Sequence, residues 1–148
     1  MQRRTQYGGL AGVLVVEPSV VVLDEPLAGL DPDRSRLVAD RIRRIRRDGI
    51  SVVVSTHDLE FAAEIADRVC VMADGNVAGR GPPREVFYDD ALLERANLHP
   101  PSPVRVARDA GLDTSARPVT EADLVTLLSD AADPGTVRAG GPDGDGRV

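Results

Sequence analysis

An α/β fold, a mostly parallel sheet with flanking helices, is predicted by three observations. Val20-Val21-Val22-Leu23 is a run of four apolar residues, three of them β-branched, that ends abruptly in Asp24, Glu25 and Pro26. That is the pattern of a fully buried strand stopping at a polar site. A second apolar run, Ile50 to Ser55, ends in Thr56-His57-Asp58. Between them, from Pro32 to about Arg47, Leu37, Val38, Ile42 and Ile45 recur at helical spacing with arginines over much of the remainder. Strand, helix, strand in this order makes a βαβ unit, which delivers its polar groups to one edge of the sheet. In open parallel sheets, ligands bind beyond the carboxyl ends of the strands.

Taken in order, Met1 to Gly9 is polar and without a hydrophobic period, and Leu10 to Val16 reads as the end of a helix that Pro18 stops. The first strand follows. Pro26 cannot donate to a ladder and drives Glu25 away from helical torsions, so the chain leaves the sheet where the two carboxylates sit. Gly29 permits a turn, and Asp31 is a suitable N-cap with Pro32 at the first helical position and Asp33 in the first turn. Gly49 is placed to close this helix in a left-handed cap. After the second strand, Asp58 caps a helix in which Leu59, Ala62, Ile65, Ala66 and Val69 keep helical spacing.

Val69 to Met72 and Val77 to Ala78 flank Asp74-Gly75, which favours a hairpin with a primed turn. Gly79 to Pro83 is expected to break the sheet. Short helices are expected at Arg84 to Tyr88 and Ala91 to Asn97, and Pro100, Pro101 and Pro103 separate these from a further piece, Val104 to Ala110, closed by Gly111. Thr120-Glu121-Ala122-Asp123 resembles a capping box and opens a final helix through Leu128. Ala131 to Val148, rich in Gly, Asp and Pro, is expected to be disordered.

Length and composition bound the function. The 148 residues fit one domain, and 42% apolar residues suffice for a core in a complete fold. No run of eighteen or more apolar residues and no signal peptide is present, so a cytoplasmic location is expected. The net charge of −6 disfavours nucleic acid as a partner, although the segment Arg34 to Arg47 is locally basic. A solvated helix face accounts for those arginines. Cys70 lies in an apolar strand pattern and reads as a buried, inert thiol. The sequence contains no lysine. A phosphate-binding loop of the form GxxxxGK[ST] needs that ammonium group at the β and γ phosphates, and this chain cannot supply it.

VVVLDEPLAGLDP followed by VVVSTHD resembles the Walker B motif, D-loop and H-loop of the ATP-binding subunits of ABC transporters. As an ordered constellation the match is highly specific. RVCVMADGNVAGRGPPREVF and ALLERANLHPP are similar, on weaker motifs, to the ATPases of energy-coupling factor importers for cobalt, nickel and related micronutrients. The resemblance covers roughly Leu10 to Leu128 and only the second half of such a subunit. It implies the C-terminal portion of a P-loop NTPase (ABC ATPase) domain over 10–88, a small helical C-terminal extension over 89–130 and a disordered tail over 131–148.

The resemblance implies ATP hydrolysis with Glu25 orienting or deprotonating the attacking water and His57 contacting the γ-phosphate. Asp24 would hold Mg²⁺ through water, since this cation keeps several waters of its shell, and Asp31 of the D-loop would reach across a dimer interface. The implied cofactors are ATP and Mg²⁺, both conditional on the N-terminal half being supplied. The implied partners are a transmembrane transporter subunit and a second ATPase subunit, with the assembly peripheral on the inner face of the cell membrane. The departures are equally definite. The adenine-stacking aromatic, the Q-loop and the LSGGQ signature, whose glutamine would fall near Arg4, are not found. A catalytically silent half-domain, acting as a structural or regulatory partner or arising from a disrupted gene, is the alternative. An ABC-type ATPase of DNA maintenance is a third reading, but the coiled-coil or zinc insertions usual there have no trace in the sequence.

Overall fold

The computed structural model describes residues 18–132. Strands β1 (Val20–Asp24) and β2 (Ser51–Ser55) pair in parallel, with Val20 opposite Ser51 and Asp24 opposite Ser55. Helix α1 (Pro32–Arg47) connects them. Asp31 caps α1, its Oδ1 accepting from the Arg34 amide at 3.0 Å, and Gly49 follows the helix at φ +85°. Helix α2 (Leu59–Ile65) starts at Asp58, whose Oδ1 accepts from the Phe61 amide at 2.9 Å. It ends earlier than the apolar spacing suggests. Ala66 is already extended, and Val69 belongs to the next strand.

Strands β3 (Val69–Ala73) and β4 (Asn76–Gly81) form the expected antiparallel hairpin. Asp74 and Gly75 at its tip both have positive φ, 49° and 74°, as a type I′ turn requires. Gly79 does not break the sheet; β4 runs on to Gly81, with a one-residue register shift at Ala78. The reason for glycine there is close packing. A Cβ at Gly79 would lie 2.6 Å from Leu92 Cδ2. Helices α3 (Pro83–Val86), α4 (Asp90–Arg95), α5 (Ser102–Asp109) and α6 (Glu121–Ala132) follow, with a 3-10 turn (Thr114–Ala116) between the last two. Thr120 and Asp123 form a reciprocal capping box: the Thr120 amide donates to Asp123 Oδ2 at 3.0 Å, and the Asp123 amide donates to Thr120 Oγ1 at 3.1 Å. Ala131 and Ala132, assigned above to a disordered tail, close α6. The rest of that tail and the segment Leu10 to Val16 lie outside the described residues.

The expected full burial of β1 and β2 does not hold. Val21 is buried, but Val20, Val22 and Val53 are 52%, 70% and 54% exposed. Successive side chains point to opposite faces, and α1 and α2 cover only the face bearing Val21, Leu23, Val52 and Val54. Leu37 is likewise exposed, because Ala39, Ile42 and Ile45 form the buried stripe of α1 and Leu37 lies about 140° around the helix from Ile42. Cys70 is exposed, since the same alternation in β3 turns Val71 inward.

Among the described residues two apolar clusters result. One joins Ala39 and Ile42 of α1 to Phe61 and Ile65 of α2 against the βαβ sheet. The other gathers Ala63, Val71, Val86, Phe87, Leu92, Leu93, Val104 and Val119. Helix α2 contributes to both. The arginines of α1 do more than solvate a face: Arg43 pairs with Glu64 at 2.7 Å, and Arg46 donates to the Ile65 carbonyl at 2.8 Å and pairs with Asp67. These links fasten α1 to the carboxyl end of α2.

Candidate active site

Strand β1 carries Asp24 and Glu25 to its carboxyl end, and the parallel register brings Ser55, Thr56 and His57 to the same place. The ladder extends one step beyond the strand, with the Glu25 amide donating to the Ser55 carbonyl at 2.9 Å. Glu25 then takes φ +43°. Right-handed helical torsions are disfavoured before Pro26, and the left-handed region is sparsely populated by residues with a Cβ. The chain turns immediately, the Ala28 amide donating to the Glu25 carbonyl at 3.1 Å.

His57 Nδ1 lies 2.9 Å from Glu25 Oε1. An ionised carboxylate only accepts, so Nδ1 carries the proton and donates, leaving Nε2 for a second partner. The hydrogen bond to Glu25, and then its negative charge, raise the pKa of His57 above the usual histidine value; the imidazole side chain is 85% exposed. Thr56 Oγ1 donates to Glu25 Oε2 at 3.4 Å while accepting from the Asp58 amide at 3.1 Å. Ser55 Oγ donates to Asp24 Oδ1.

Three of the four residues singled out from the sequence, Asp24, Glu25 and His57, therefore meet at one sheet edge. Asp31 does not join them. Its carboxylate is engaged at the head of α1, where Oδ2 also pairs with Arg34 Nε at 3.3 Å. The hydroxyls of Ser55 and Thr56 were not assigned a role from the sequence. The signal that finds them is the register, which sets Asp24 opposite Ser55.

Among the described residues no three His, Cys, Asp or Glu side chains gather to hold a metal ion by themselves. Asp24 nevertheless keeps one carboxylate oxygen beyond the one that accepts from Ser55. That donor set suits Mg²⁺, which retains several waters and is bound through one or two carboxylates together with phosphate oxygens.

The α/β fold is that of part of a P-loop NTPase domain of the ABC ATPase class, which solved structures share. CbiO1 of Clostridium perfringens, described as part of the ABC transporter complex CbiONQ, superposes with a TM-score of 0.52 at 36% identity over 70% of this chain and 40% of its own. An ATP-binding cassette of an ABC transporter in its ADP conformation superposes with a TM-score of 0.54, over 63% of this chain and 39% of its own, and at 22% identity shows the fold alone. The chain is a homologue of ABC transporter ATP-binding proteins, those of energy-coupling factor transporters among them. EcfA of Methanocaldococcus jannaschii is 40% identical over 62% of this chain and 33% of its own length. EcfA2 of Lacticaseibacillus paracasei is 37% identical over 80% of this chain and 43% of its own. The chain thus spans less than half the length of these relatives. A family model described as "AAA domain, putative AbiEii toxin, Type IV TA system" matches residues 6–63.

Proposed function

We propose that this chain is part of an ABC-type ATPase subunit that couples ATP hydrolysis to transmembrane import of a transition metal, cobalt or nickel, or a related micronutrient. The observation that carries the hydrolytic part is the 2.9 Å contact between Glu25 and His57 at the ends of adjacent parallel strands. The likeness to energy-coupling factor ATPases and to CbiO1 supports the transport part. In this reading 10–88 serve as the ATPase portion and 89–130 as a helical extension. The subunit works on the inner face of the membrane with a transmembrane partner and a second ATPase subunit; among the described residues no helix is long and apolar enough to cross a membrane.

Hydrolysis requires an oriented water and hydrogen-bonding or positive groups around the γ-phosphate. Glu25 accepts a proton from that water or orients it, its carboxylate held between His57 and Thr56. His57, kept protonated to higher pH by Glu25, donates from Nε2 to a phosphate oxygen while Nδ1 remains on Glu25. Asp24 would hold Mg²⁺ through water, and the ion would supply neutralisation of the phosphate charge. Asp31 serves the D-loop at the dimer interface while capping α1. Backbone amides and a lysine ordinarily carry most phosphate affinity, and these 148 residues contain no lysine. A second reading is a catalytically silent structural or regulatory partner.

The test joins the chain to a polypeptide bearing a phosphate-binding loop and LSGGQ signature and measures phosphate release. Activity is expected in the assembly, with Glu25→Gln lowering the rate about 10²–10⁴-fold, the usual contribution of a general base. An assembly that binds ATP without hydrolysing it favours the silent reading.

A further inference from the structure

We infer that Ser55 is a positioning residue for the acid pair: its hydroxyl fixes the rotamer of Asp24, so that one carboxylate oxygen is presented in a constant direction at the sheet edge. The inference rests on the hydrolytic reading above and names a further residue for that same site. Ser55 and Asp24 are direct neighbours in the parallel register and share the open face of the sheet. Among the described residues, Ser55 Oγ donates to Asp24 Oδ1, and no other side-chain hydrogen bond of Asp24 occurs.

A structural role for this hydroxyl is poorly supported. Ser55 follows three valines in β2, is exposed, and takes the sheet position with a side chain of lower strand preference. Exposed hydrogen bonds add little to stability, because water offers both groups the same bond in the unfolded chain. What the bond does supply is direction. An exposed aspartate otherwise samples its staggered χ1 wells, and a hard cation with octahedral demands tolerates little variation in where its ligand oxygen sits. With Oδ1 accepting from Ser55, rotation about χ1 is restricted, and Oδ2 is the oxygen left without a side-chain donor among the described residues. Thr56 differs, because it also accepts from the Asp58 amide and so helps build the loop that carries His57.

The experiment uses the full 148-residue chain and the Hα–Hβ scalar couplings of Asp24 by NMR. The native chain is expected to show one dominant χ1 rotamer. Ser55→Ala is expected to lower that population about two-fold as the staggered wells share it, and Ser55→Thr, which keeps the hydroxyl, to restore it. Amide spectra of the variants establish that β1 and β2 still pair. A native Asp24 that is already averaged, or a rotamer population that Ser55→Ala leaves unchanged, overturns the inference. A second readout belongs to the assembled ATPase. Ser55→Ala should raise the Mg²⁺ concentration for half-maximal hydrolysis several-fold, with a smaller change in KM for ATP. An assembly without hydrolysis would sink the preceding reading, while the couplings of Asp24 still decide this one.

Discussion

The imidazole of His57 is 85% exposed, yet its protonation answers to a neighbour 2.9 Å away, the carboxylate of Glu25. The pKa of His57 is raised in the folded chain by that hydrogen bond and charge. The linked stability is therefore complete below the unfolded-state value and is lost as pH rises through the folded-state value. Glu25→Gln keeps the shape and removes the charge, so His57 is expected to titrate at lower pH, as followed by nitrogen shifts of the imidazole. An unchanged titration would show that Glu25 does not set it. Asp24, Glu25 and His57 were legible because apolar strand runs that stop in polar residues announce a sheet edge. Two details beside them were not. The positive φ of Glu25 is only half implied by Pro26, which disfavours one region without choosing another. The pairing of Ser55 with Asp24 depends on register, which neither strand encodes alone.

At the scale of elements, local chemistry proved the most informative. Asp31-Pro32, Asp58, Asp74-Gly75 and Thr120…Asp123 each mark a terminus or turn that the structure contains. The capping box gives a direct check. Thr120→Ala removes the acceptor for the Asp123 amide and is expected to destabilise α6 by about 1 kcal/mol, read as a lower urea midpoint and faster amide exchange in its first turn. Unaltered exchange would remove the box from the account. Gly79 shows where sequence reading ran out. Glycine before Arg80-Gly81-Pro82 has the look of a loop, and only the approach of Leu92 from a distant helix explains its place inside β4. The exposure of Val20, Val22 and Val53 has a related cause, since four apolar residues in a row do not reveal which face α1 and α2 pack against.

At the largest scale, the apolar residues among those described form two clusters rather than one, an arrangement that hydrophobic periodicity does not specify. Phe87, fully buried, anchors the larger. Phe87→Ala is expected to cost about 3–5 kcal/mol, the usual range for emptying such a site, and differential scanning calorimetry would register it as a lowered Tm. A Tm within a degree of the native value would mean that this cluster relaxes around the gap. The seven residues of α2 then have an unusual standing. Phe61 and Ile65 face one cluster and Ala63 the other, and even the exposed glutamates are engaged, Glu60 by Ser102 at 2.9 Å and Glu64 by Arg43. Mutational drift consequently has little room along this segment. Homologous chains are expected to diverge around it, while the stretch next to His57 changes only in concert with two sets of neighbours.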